Sequence, residues 1–240
     1  MGKDYDILLI PARYNKNIEL SDEIIAQLPE KIMLFASVQF LNNLDSIKQQ
    51  LEAKGRKISM RESKNYLYNG LISDKGQLLG CNMENFSSKE DFDAFLYIGD
   101  GLFHPKALAV NNNKDIFCYD PKIEKLHVIE KNLHDEYSKR RKGAKLKFLT
   151  SKNIGIIITT KIGQANPKRA EALRKNILSK WPDKKVFMFY ANELNFLELE
   201  NFNFIDIYVN VACSRIGHDD IKRTPMPIIN IADAEELVRE

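Results

Sequence analysis

The stretch that decides the fold is "IGIIITTKIGQANPKRAEALRKNILSKWPDKKVFMFY", residues 154–190. It reads as a strand over 154–159, a helix over 166–181 and a second strand over 185–190. Asn166 followed by Pro167 supplies an N-cap and a first-turn proline, and Pro182 stops the helix. Alternation of this kind predicts a parallel sheet covered by helices on both faces.

The same alternation runs outward in both directions. Toward the C-terminus come a helix near "ELNFLELE", strands "DIYVNV" (206–211) and "MPIINI" (226–231), and a terminal helix. Toward the N-terminus, "YDILLI" (5–10) reads as a strand, "ELSDEIIAQL" (19–28) as a helix capped by Ser21, and "KIMLFAS" (31–37) as a strand. Residues 38–55 place Phe40, Leu41, Leu44, Ile47 and Leu51 near a 3.6 period and end at Gly55. Strands at 94–99, 115–120 and 125–130, with a short helix from Pro105, complete the first half. The expected fold class is α/β, with two similar domains, each a small mostly parallel sheet flanked by helices. The first domain is expected over 1–130 and the second over 151–240, joined by a charged linker helix at 131–150.

Composition narrows the function classes. Hydrophobic residues make up 44% and charged residues 29% of the 240 residues, enough for ordinary cores and a charged surface. No stretch approaches the roughly 20 apolar residues that a spanning helix needs, so a cytoplasmic protein with no membrane partner is expected. A net charge of +3 is too mild to indicate a nucleic-acid partner. The basic run "SKRRKGAKLK" (138–147) is read as a solvated face. The three cysteines, Cys81, Cys118 and Cys213, are an odd number at long spacings and form no CxxC pair. That argues against a disulfide framework, and any metal site must be assembled by the fold.

In open parallel sheets, ligands bind beyond the carboxyl ends of the strands. Three stretches fall at such ends: Cys213, "GDGLFHP" after strand 94–99, and "KIGQ" after strand 154–159. Gly99 and Gly101 would admit close approach of a ligand, and His104 opens a helix. A dinucleotide fingerprint is excluded, because GxGxxG needs glycine where His104 stands. His127 and His134 are expected to be non-functional, and His218 to be solvent-exposed. For Cys213, a core hydrophobe and a reactive or ligating thiol both remain open at this point.

A family comes into view on "GQLLGCN" (76–82), "DAFLYIGDGLFHP" (93–105), "YDP" (119–121), "TTKIGQ" (159–164), "ANEL" (191–194) and "YVNVACSRIGHDD" (208–220). In that order and at those distances, they resemble the diphthamide synthase family over nearly all of residues 5–240. The resemblance implies a radical enzyme of three similar α/β domains, each giving one cysteine to a [4Fe-4S] cluster. It implies transfer of a 3-amino-3-carboxypropyl group from S-adenosylmethionine to a histidine of elongation factor 2, by members that work as dimers. Cys81 then matches the middle-domain metal ligand and Cys213 the last-domain one. Gln39, in "ASVQF" (36–40), joins Gly99, Gly101 and His104 as a candidate cofactor-binding residue, while the catalytic residues are left open.

The sequence also departs from the family pattern. "DYDILLIPARYN" (4–15) resembles the opening of the middle domain, so a partner chain is expected to supply the first domain and its cysteine. Phe40 stands where histidine is common, Ser214 stands where proline follows the last cysteine, and Cys118 matches no ligand position. Two rival readings are a non-catalytic scaffold subunit of the same family and a cluster-free small-ligand-binding α/β protein. Iron counting on anaerobically purified protein separates them.

Overall fold

The structure is a computed structural model that describes residue 10 and residues 12–62, 74–88, 90–161 and 163–240. The strand expected over 5–10 falls outside the described residues except for Ile10. Two compact units are present, one ending at Lys131 and the other beginning at Asn132.

In the first unit, helix α1 (Asp22–Ala26) is capped by Ser21, whose side chain accepts from the Ile24 amide. Strand β1 (Lys31–Ala36) follows, then a 3-10 turn over Val38–Asn43 and helix α2 (Leu44–Ala53). Sequence periodicity reads 38–55 as one helix, but its first six residues wind tighter. At its end Gly55 takes φ +81°, and the amides of Gly55 and Arg56 donate back to Glu52 and Leu51. That pair of bonds is a Schellman motif, which a residue with a Cβ would strain. Leu44, Ile47 and Leu51 bury the inner face of α2 against Ile32, Leu34 and Ala36 of β1. Each such side chain contributes about 1.5–3 kcal/mol.

The remaining strands are β2 (Lys57–Ser59), β3 (Ala94–Ile98), β4 (Ile116–Asp120) and β5 (Lys125–Ile129). They order as β2-β1-β3-β4-β5, parallel except for β5, which runs antiparallel to β4. The reversal is a tight turn in which the Asp120 side chain accepts from the Lys122 amide and Glu124 takes φ +51°. The helix expected from Pro105 is a 3-10 turn over Pro105–Val110.

In the second unit, helix α3 (Asn132–Thr150) packs on strand β9 (Ile228–Asn230) and helix α6 (Ile231–Arg239). The sequence reading sets 131–150 apart as a linker, whereas Phe148 of α3 is fully buried in this unit's core. Strands β6 (Asn153–Thr159), β7 (Lys185–Ala191) and β8 (Ile207–Asn210) complete an all-parallel sheet in the order β7-β6-β8-β9. Helix α4 (Pro167–Lys180) crosses from β6 to β7, with Asn166 accepting from the Arg169 amide as its cap.

The long helices α3, α4 and α6 cover one face through Ala170, Leu173, Ile177, Phe148, Ala234 and Leu237. The other face is covered by a 3-10 turn, Phe196–Phe202, in place of the helix expected there. Gly155 makes room on that face, since a Cβ there would lie 2.6 Å from the buried Tyr208 ring. Among the described residues, no helix is long and apolar enough to cross a membrane.

Candidate functional site

Parallel pairing puts the carboxyl ends of neighbouring strands together, and a half-exposed thiol lies at such an end in each unit. In unit 1, β1 is continued by a single bridge between Ala36 and Gln77, with the Leu78 amide donating to the Ala36 carbonyl at 2.8 Å. The chain then turns at Leu79–Asn82. The Asn82 amide donates to the Leu79 carbonyl at 3.0 Å, and the Asn82 side chain accepts from the Leu79 amide at 2.7 Å. Cys81 rides on this turn and is partly exposed, while Asn82 is 1% exposed. The Phe103 ring lies over Gly80, where a Cβ would come within 2.2 Å of it. The loop after β3 therefore touches the cysteine turn.

That loop carries three of the other candidates. Space beside Gly99 is filled by the buried Tyr97 side chain, 2.6 Å from where a Cβ would sit. Gly101 takes φ +66° with nothing within 4 Å of a Cβ position, leaving its side open. His104 stacks on Tyr97 with ring centroids 6.4 Å apart. Asp100 pairs with Lys122 at 2.8 Å, and that hydrogen bond is the main reason its carboxyl titrates below the usual range. Gln39 is half-buried in the 3-10 turn after β1, where its carbonyl accepts from the Tyr14 amide at 2.7 Å. Neighbouring Phe40 is fully buried and its ring meets Tyr14 at 5.2 Å, so this position is core.

In unit 2, Cys213 lies three residues beyond β8 and is also partly exposed. Its carbonyl accepts from the Ile216 amide at 3.1 Å, opening the one-turn helix α5 (Ile216–Asp219). Arg215, 2% exposed, donates from Nε to Asp219 at 2.7 Å, and the Tyr137 hydroxyl of α3 donates to the other Asp219 oxygen at 2.6 Å. These bonds tie the segment after Cys213 to α3. His218 is expected in solvent but is 7% exposed, packed against Tyr137. Burial first, then the positive charges of Arg141 and Arg215, pull its pKa down to about 4.

Cys118 contrasts with both. It lies inside β4, 3% exposed, and burial pushes its thiol up to about 12. Such a thiol is inert. Among the described residues, no three His, Cys, Asp or Glu side chains gather closely enough to hold a metal ion. Sequence reasoning missed Asn210 and Asn230, which hold the Cys213 turn through its backbone. A signal was present, since each is an asparagine at the last position of an apolar strand.

Residues 3–240 match the sequence profile of a family described as putative diphthamide synthesis protein. A 2-(3-amino-3-carboxypropyl)histidine synthase from Pyrococcus horikoshii is 30% identical over 214 residues, covering 89% of this chain and 59% of the relative. Subunit 1 of the corresponding synthase from Schizosaccharomyces pombe is 32% identical, covering 85% of this chain and 46% of the relative. In three dimensions the chain is similar to a crystal structure of Dph2 from Pyrococcus horikoshii with a 4Fe-4S cluster. The TM-score is 0.68 at 27% identity, over 90% of this chain and 59% of that one. The chain thus spans about half to three-fifths of the length of these relatives.

Proposed function

Because the chain belongs to the diphthamide synthesis family, we propose that it serves the transfer of a 3-amino-3-carboxypropyl group from S-adenosylmethionine to a histidine of elongation factor 2, as a cytoplasmic transferase. Cys81 and Cys213 act as thiolate ligands of a [4Fe-4S] cluster. One observation carries this reading. The two cysteines in the family's motif positions are the two that are partly exposed on turns at strand ends, while the unmatched Cys118 is buried.

The donor set fits the group, since iron–sulfur clusters are held by cysteine thiolates. Cys118 does not fit, because ionising it costs burial of a charge that nothing nearby offsets. The third thiolate comes from outside these 240 residues. When bound, the cluster supplies the electron that breaks a sulfonium carbon–sulfur bond. The protein's own part is to bind and orient. Gly101 leaves an open side for a ligand, with His104 before the 3-10 turn that follows in the same loop and Gln39 in the turn after β1. The working assembly is a dimer.

The test is an anaerobic assay of labelled aminocarboxypropyl transfer from S-adenosylmethionine to elongation factor 2, with reductant. The 240-residue chain is assayed alone and with the first domain of a relative added. Transfer only in the supplemented reaction is expected. Equal transfer without the supplement contradicts the shared-ligand arrangement, and no transfer in either contradicts the activity.

A further inference from the structure

Strands β8 and β9 end side by side on asparagines, with Asn210 and Asn230 paired in register. They are 1% and 7% exposed, so every polar atom must find its partner inside the protein. The partners form a chain with one direction. The Ala212 amide can only donate, so the oxygen of Asn210 is the atom that faces it, at 3.0 Å. The nitrogen of Asn210 therefore turns to the Cys213 carbonyl at 2.8 Å and to the Asn230 oxygen at 2.9 Å. With its oxygen engaged, Asn230 has its nitrogen left to donate to the Ser214 carbonyl, also at 2.8 Å. Flipping either amide would set donor against donor or oxygen against oxygen.

We infer that Asn210 and Asn230 are positioning residues for the Cys213 thiol, an inference that rests on the reading of Cys213 as a cluster ligand. The pair grips the carbonyls of Cys213 and Ser214 from the sheet below. It leaves the side-chain torsion as the thiol's main remaining freedom. The far side of the clamp is closed by Gly217, where a Cβ would lie 2.5 Å from the Asn230 side chain. Neither asparagine touches the cluster in this scheme. Each acts by fixing the backbone from which the ligand projects, and rigid support of this kind holds a ligand to productive geometry.

The test uses the whole metal-free chain. Alkylation of Cys213 by iodoacetamide is followed by mass spectrometry, at a pH high enough that the rate reports access to the thiolate. Cys81 in the same molecule is the reference. In Asn210→Leu and Asn230→Leu, of similar size but without the amide, the Cys213 rate is expected to rise about tenfold, equivalent to about 1.4 kcal/mol, with Cys81 unchanged. Ile177→Ala, which weakens the unit's core away from the turn, is expected to leave the Cys213 rate within about twofold of wild type. Should a leucine variant not fold, Asn210→Ser or Asn230→Ser takes its place. A Cys213 rate within about twofold of wild type in folded variants overturns the inference, as does an equal rise in Ile177→Ala. Iron content after anaerobic reconstitution separates the two ideas. Iron retained by Cys213→Ser would sink the ligand reading, while the alkylation rates still decide the positioning role.

Discussion

The two cysteine turns solve one problem by different means. Cys81 stands on a turn closed locally, by Asn82 bonding back to Leu79 and by the half-exposed Phe103 ring lying over Gly80. Cys213 stands on a turn held from below by two strand-end asparagines and from the side by Arg215, Asp219 and Tyr137. The first is cushioned by a ring that can swing into solvent. The second is bounded by Asn210, Asn230, Arg215 and Tyr137, which are buried, and lost hydrogen bonds of buried groups are costly. Rigidity in this protein thus comes less from the turn type than from what the turn rests on.

Acid should separate the two turns most strongly. His218 backs only the second, with a folded pKa of about 4 against about 6.5 in an unfolded chain. Its neutral form is favoured in the fold, so the unfolded chain binds the proton more readily. Stability is fully present above about pH 6.5 and falls as the pH drops toward 4, by on the order of 3 kcal/mol. Trp181, the single tryptophan, lies against Phe148 in unit 2 and reports this by fluorescence in denaturant titrations. His218→Gln should flatten the profile over that window, and an unchanged slope would remove the proton-sensitive part of the contrast.

A methyl group probes the cushioning directly. Gly217→Ala drives a Cβ into the buried Asn230 and should cost about 2 kcal/mol. Gly80→Ala meets only the mobile edge of Phe103 and should cost less than about 1 kcal/mol. Equal costs in chemical denaturation would erase the proposed difference in rigidity. The hydrogen bonds of the two turns fall between these costs. Tyr137→Phe loses a bond to a carboxylate and should cost about 1.5 kcal/mol, and Asn82→Ala, which strands one half-buried amide, about 1 kcal/mol.

The strand and helix order was readable wherever a local signal coincided with a periodic run, as at the Ser21 cap, the Asn166–Pro167 start and the Gly55 stop. Direction was less readable. Nothing in "KLHVIE" marks β5 as antiparallel, because the reversal depends on a four-residue turn built by Asp120 and a left-handed Glu124. The charges of 131–150 mask Phe148, one apolar side chain that anchors the helix in the core. At the candidate site, the thiols were found through the family's motifs and not through spacing. His218 was misplaced because its burial comes from α3, which carries Tyr137, far away in sequence. The Tyr97 side chain that fills the space beside Gly99 is visible only in three dimensions.

In the proposed arrangement two thiols, Cys81 and Cys213, face metal and Cys118 does not. Iron bound per chain after anaerobic reconstitution with the first domain of a relative added, compared among wild type, Cys81→Ser, Cys213→Ser and Cys118→Ser, tests that assignment most directly. Cys118→Ser should bind as much iron as wild type, since its thiol is buried and stays protonated. Either of the other two changes should abolish binding. Loss of iron from a folded Cys118→Ser, or its retention in either Cys81→Ser or Cys213→Ser, would contradict the ligand assignment.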